Sequence, residues 1–142
     1  MKVIGVTGGV GSGKSVVLDE LKTLYNCEVI KADNVAHSLM AKGEIAYNAI
    51  VSEFRSEILD TNAEFHKEIM AKLIFTNNTN RKKIDSIVHP LVTDYIVNTI
   101  KVAKKENVLD YIFIEAALLI ENGFDQICDE LWYIYVNKYI RI

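Results

Sequence analysis

The sequence predicts an α/β fold in which a parallel sheet lies between layers of helices, and three observations carry that prediction. An apolar run, Lys2-Val-Ile-Gly-Val-Thr7, reads as a buried strand, and the octet Gly8-Gly-Val-Gly-Ser-Gly-Lys-Ser15 follows it at once. The octet satisfies G-x-x-x-x-G-K-[ST], a pattern whose glycines let backbone N–H groups curl around a polyphosphate. Further β-branched and aromatic runs recur along the chain, separated by stretches of helical period. Such alternation implies right-handed crossovers between parallel strands.

Taken in order, Val16 to Leu24 places Val17, Leu18, Leu21 and Leu24 on one helical face, so the glycine-rich loop runs from a strand into a helix. That context defines a three-layer α/β/α P-loop NTPase fold. Glu28-Val-Ile-Lys31 reads as a second strand. Asp33 or Asn34 suits the cap of the next helix, with Val35, Leu39 and Met40 inward and Gly43 ending it. Residues 44–54 keep the helical period through Ile45, Tyr47, Ile50, Val51 and Phe54, and Arg55 to Ala63 reads as a polar loop. Phe65, Ile69, Met70, Leu73 and Ile74 mark another helix, stopped at Asn77 to Asn80. A helix from Arg81 to Val88 is expected to break at His89-Pro90, with a new one reaching about Lys105. Val108 to Glu115 and Leu131 to Val136 complete a sheet with four strands present. The expected organisation is one domain over 1–142, with a core of about 1–33 and 107–142 and a helical acceptor-binding insert of about 34–106.

Composition narrows the function. A chain of 142 residues with a net charge of −3 has no electrostatic footprint for nucleic acid. Its basic runs, Arg81-Lys82-Lys83 and Lys101 to Lys105, are balanced by acidic residues elsewhere. Cys27 and Cys128 stand far apart without C-x-x-C spacing, which fits a reducing cytoplasm better than a zinc site or a disulfide scaffold. No apolar run approaches the roughly 18–20 residues that span a bilayer, and the N-terminus lacks the features of a signal peptide. The expected partner is a small molecule, with neither nucleic acid nor membrane, and the chain is expected to be a monomer or a weak oligomer. A GTPase reading fails because no glycine has an aspartate three residues before it, and Asn137-Lys138-Tyr139-Ile140 lacks the aspartate that would read guanine.

A phosphotransferase remains, and its chemistry needs a phosphate cradle, a metal and a group that orients the acceptor hydroxyl. Gly9, Val10, Gly11, Ser12, Gly13, Lys14, Ser15 and Val16 supply the cradle for ATP, with Lys14 reaching the β/γ-phosphates and Ser15 ligating Mg²⁺. Ligands of an open parallel sheet gather at the carboxyl ends of its strands. Asp33 follows the second strand, either as the carboxylate that takes the acceptor's proton or as a helix cap. Glu115 closes the third strand, either in the Mg²⁺ shell or as a solvated strand end. His37 lies one turn beyond Asp33, as an acceptor contact or a surface histidine. Arg81-Lys82-Lys83 either attracts a diphosphate or forms a solvated helix face. Leu118 and Leu119 serve as packing or as an apolar wall for the acceptor.

Four motifs in order resemble the dephospho-coenzyme A kinase family. Its G-L-T-G-G-I-G-S-G-K-S is matched by Gly5-Val-Thr-Gly-Gly-Val-Gly-Ser-Gly-Lys-Ser15, and its D-A-D-x-I-A-H-x-L by Lys31-Ala-Asp-Asn-Val-Ala-His-Ser-Leu39. Its V-F and L-x-x-I-V-H-P-x-V appear as Ile74-Phe75 and Ile84-Asp-Ser-Ile-Val-His-Pro-Leu-Val92, and its P-L-L-F-E as Ala117-Leu-Leu-Ile-Glu121. The resemblance implies transfer of the ATP γ-phosphate to the ribose 3′-hydroxyl of dephospho-coenzyme A. It favours Asp33 as a catalytic residue beside Lys14 and brings in His89 and Lys67 with His37 as acceptor residues, although His89 before Pro90 also suits a structural role. Three positions depart from the family. An Asp-Arg pair becomes His66-Lys67, which turns an arginine fork into a point charge. A proline becomes Ala117, and the first aspartate of D-A-D becomes Lys31. The family continues into an arginine-bearing lid and a fifth strand, whereas this chain ends at Ile142 with Arg141 where the lid would begin. The expectation is therefore a kinase whose fifth strand and lid are missing, active at a level roughly a hundredfold or more below a lid-bearing form. A binding-only nucleotide domain and another small nucleoside or nucleotide kinase are the alternatives.

Overall fold

The computed structural model describes residues 1–8, 13–54 and 58–134. The loop residues Gly9, Val10, Gly11 and Ser12, and the segment from Tyr135 onward with Arg141, lie outside the described residues. Strands β1 (Lys2–Gly8), β2 (Cys27–Lys31), β3 (Tyr111–Glu115) and β4 (Glu130–Ile134) form one sheet in the order β2-β3-β1-β4, and every pairing is parallel. Helix α1 (Lys14–Leu24) joins β1 to β2, and α2 (Ala32–Leu39), α3 (Ile45–Phe54), α4 (Lys67–Thr76) and α5 (Asn78–Glu106) lie between β2 and β3. The β3–β4 connection carries only a turn and a short 3₁₀ segment, Phe124–Ile127.

The central strand β1 explains its own composition. Val3, Ile4, Gly5 and Val6 are all buried, as an interior strand of a parallel sheet covered on both faces requires. One face packs Ile4, Val6 and Phe113 against Leu18 and Leu21 of α1. On the other, a side chain at Gly5 would put its Cβ 2.8 Å from Leu131 Cδ2, 3.0 Å from Cys128 Sγ and 3.2 Å from Leu119 Cδ1. Glycine at position 5 is what lets the β3–β4 connection close onto the sheet. The entry to β4 is fixed by two bonds between Val3 and Asp129, one through backbone and one through the carboxylate: Asp129 N donates to Val3 O at 2.7 Å, and Val3 N donates to Asp129 Oδ2 at 2.8 Å.

The chain divides into two compact units, residues 1–34 with 95–142, and residues 35–94. The boundary falls inside α5. The helical unit has its own core of Ile50, Ile58, Met70 and Ile84, with Met40, Phe54, Leu59, Phe65 and Leu73 packed around it.

Several element boundaries differ from the sequence reading. Leu24 sits in the last turn of α1 and stays 65% exposed. Helix α2 ends at Leu39 rather than at Gly43, which instead takes positive φ in the following turn. Phe65 is not helical. It bridges Leu59 in an antiparallel pair, and His66 caps α4, its Nδ1 accepting from Ile69 N at 3.4 Å. The asparagine cluster interrupts the helices only at Asn77, whose Oδ1 accepts from Thr79 N at 2.9 Å and so starts α5. Pro90 does not break α5, which runs 29 residues. The carbonyl that Pro90 deprives of a partner belongs to Ser86, and both residues are exposed, so water can take that bond. Strand β3 begins at Tyr111, since Val108 is 67% exposed and Asn107 turns the chain at φ 53°.

Candidate active site

Strand register builds the site. Lys31, Glu115 and Val6 stand side by side on β2, β3 and β1. In-register residues of parallel strands send their side chains to the same face. Val6 packs under α1, so Glu115 and Lys31 also lie on the α1 side, at the carboxyl edge of the sheet. Lys14 is the first residue of α1, and its Nζ lies 3.2 Å from Glu115 Oε1. The two side chains are 17% and 16% exposed, whereas the other described ion pairs, Lys2–Glu130 and Lys83–Glu53, are about half exposed. A pair this sheltered is screened far less than a surface pair.

Gly13 precedes the helix at φ 82°, a conformation that disfavours any side chain, and it provides no side-chain cap. The first α1 bond runs from Val17 N to Gly13 O at 3.1 Å. The preceding N–H groups, those of Lys14, Ser15 and Val16, have no intrahelical acceptor and bear the positive end of the helix dipole. A helix start of this kind receives phosphate. Ser15 and Val16 are both exposed there. The hydroxyl of Ser15 and the carboxylate of Glu115 are hard oxygen donors suited to Mg²⁺. Among the described residues no group of three or more His, Cys, Asp or Glu forms a metal cage. An ion that draws most of its ligands from phosphates and water fits such a sparse donor set.

Asp33 lies in the first turn of α2, which begins immediately after β2, and it is exposed. It is a first-turn residue rather than the cap that one sequence reading allowed. Leu119 is fully buried and faces the Cβ position of Gly5, so packing is its role, while Leu118 is 52% exposed. Burial pushes the Cys128 thiol up to about 11, with help from Asp125 and Asp129, so it is protonated at neutral pH.

The remaining candidates belong to the helical unit. His37 is exposed on α2. Lys67 opens α4 and lines an open cavity of ≈ 400 Å³ with Asp60, Glu64, Phe65, His66 and Glu68. His89 is half-buried in the middle of α5, where its carbonyl accepts from Thr93 Oγ1 at 3.0 Å. Among the described candidates, the structure joins Lys14 and Glu115 by a direct ion pair. Sequence reading named both and missed their pairing, because the register of β1 against β3 is not written in either strand alone.

A parallel sheet that delivers a glycine-led helix start, a lysine and carboxylates to one edge defines a P-loop phosphotransferase. The Dephospho-CoA kinase family model matches residues 2–142. The dephospho-CoA kinase of Staphylococcus epidermidis is 31% identical over 99% of this chain and 68% of its own length. That of Pseudoalteromonas translucida is 32% identical over 99% of this chain and 64% of its own. The crystal structure of TT1252 from Thermus thermophilus superposes with a TM-score of 0.73 at 22% identity, covering 99% of this chain and 68% of that one. A dephospho-CoA kinase from Campylobacter jejuni gives 0.70 at 23% identity, covering 91% and 64%. The two structures share the fold. The chain belongs to the dephospho-CoA kinase family, whose members phosphorylate dephospho-CoA with ATP and Mg²⁺ in coenzyme A biosynthesis.

Proposed function

We propose that this chain transfers the γ-phosphate of ATP to the ribose 3′-hydroxyl of dephospho-coenzyme A, with Lys14 and Asp33 as its catalytic residues. The observation that carries the reading is the sheltered Lys14–Glu115 pair at the carboxyl edge of the sheet, where β2 also hands over to Asp33. In the free protein Glu115 holds the Lys14 ammonium at the mouth of the loop. Incoming phosphates compete for that ammonium, and Lys14 moves its charge onto the β/γ-phosphates. Glu115, so released, and the Ser15 hydroxyl would be the residues to hold Mg²⁺ or its water shell, and the ion would supply positive charge to the phosphates.

Asp33 accepts the proton of the 3′-hydroxyl as that oxygen bonds to the γ-phosphorus. The bond from the γ-phosphorus to the bridging oxygen breaks, and ADP leaves. Most of the catalysis is positioning and charge stabilisation rather than covalent work. The helical segment of about 34–106 is assigned to the acceptor, with His37, Lys67 and His89 as contacts and the exposed Leu118 as an apolar wall. Leu119 supports that wall from the core.

No helix among the described residues is long and apolar enough to cross a membrane. That, the small-molecule substrate and the unpaired cysteines support a cytoplasmic enzyme without nucleic-acid partners, monomeric or weakly associated.

The reading is tested by offering ATP with dephospho-coenzyme A, adenosine and the common nucleoside monophosphates in parallel. Phosphorylation of dephospho-coenzyme A alone is expected. A nucleoside monophosphate phosphorylated in its place would transfer the assignment to another kinase of this fold.

A further inference from the structure

Lys31 is the last residue of β2 and is half-buried. Among the described residues its side chain makes no ion pair and no hydrogen bond. Its position is nevertheless strictly set. Lys31 is in register with Glu115 on the adjacent strand, and both share the sheet face beneath α1. The charge of Glu115 is already matched by Lys14 at 3.2 Å. Lys14, Glu115 and Lys31 therefore form a row of two cations around one anion, and among the described residues one of the two positive charges has no ion-pair partner. A cation with no ion-pair partner among the described residues attracts an arriving anion.

The order along the row says which anion. Lys14 and Glu115 lie on one side of Lys31, and Asp33 follows it by two residues at the start of α2. If donor phosphates sit on Lys14 and the acceptor hydroxyl on Asp33, the phosphoryl group in transit passes Lys31. We propose that Lys31 is a further catalytic residue of this chain, a second cation that contacts the terminal phosphoryl group of the bound triphosphate. The proposal rests on the phosphotransferase reading above. It gives a function to the very position at which this chain departs from the family's aspartate.

The test is equilibrium binding of ADP and ATP, without metal, to the full chain and to Lys31→Met. A lost contact between a charged donor and a phosphate oxygen is worth about tenfold or more in affinity. Lys31→Met is therefore expected to weaken ATP by about tenfold while ADP stays within about twofold, and Lys31→Arg is expected to recover most of the loss. Retained ADP affinity also reports that the variant is folded. Equal weakening of ADP and ATP, or ATP binding that does not change, overturns the assignment of Lys31. A wild-type chain that binds neither nucleotide removes the phosphate-loop reading beneath it instead.

Discussion

In the sheet unit, residues 1–34 with 95–142, strand register sets Lys31 beside Glu115 and Glu115 beside Val6, and Lys14 at the start of α1 folds onto Glu115. In the helical unit, residues 35–94, His37 stands exposed on α2, and Lys67 stands exposed on α4, whose inner face packs into the core of Ile50, Ile58, Met70 and Ile84. The Cα of a strand residue cannot shift without moving the strand, so its side chain starts from a fixed point, whereas a residue on a helix surface can change its identity cheaply. The first arrangement suits phosphoryl transfer, in which misplacement by about 1 Å is costly. The second suits the acceptor recognition proposed for the helical segment, where one exposed side chain can replace another at little structural cost.

Substitutions separate the two regions, and the largest effect is expected in the first. Asp33→Asn is expected to lower kcat by about 10²- to 10⁴-fold, the range of a positioned general base. ATP affinity, measured by titration, should stay near that of the wild type. A loss of ATP affinity equal to the loss of kcat would make Asp33 a binding residue instead. In the helical core, Ile50 is fully buried, so Ile50→Ala is expected to cost about 2–5 kcal/mol of stability in chemical denaturation. The expected companion result is ADP affinity unchanged while the variant remains folded, and joint loss of both would show that the two units do not act separately.

A smaller cost is expected for Gly5→Ala, about 1–3 kcal/mol. The new methyl would meet the buried Leu119 as well as the more exposed Leu131. The smallest effect belongs to Lys67→Met, expected to raise KM for the acceptor about threefold to tenfold with kcat nearly constant, as for loss of one exposed charge contact. Lys67→Arg should lower that KM if the site prefers a forked donor.

The same contrast explains what could be read from the chain. Strands β1 and β2 and the loop-to-helix junction at Gly13 were legible because local chemistry decides them: β-branched runs, and a glycine at positive φ. That the sheet is parallel followed from the alternation of strands with helical segments, and the family followed from motifs spread along the chain. The Lys14–Glu115 contact and the placement of Lys31 were not legible, since both depend on which residues of distant strands lie opposite one another. In the helical unit the sequence misled at Pro90 and Asn77. A proline on an exposed helix face loses a bond that water replaces, and an asparagine that ends one helix also caps the next. Phe65 kept its core position but reached it from a bridge to Leu59, not from a helix.

Lys14 carries the charge on which the proposed phosphoryl transfer most directly depends. ATP-dependent formation of the 3′-phosphorylated product from dephospho-coenzyme A, measured for the wild type and for Lys14→Met under identical conditions, is expected to differ by about 10²- to 10³-fold, the usual worth of a charged group aimed at a transition state. Equal rates for the two proteins would contradict it.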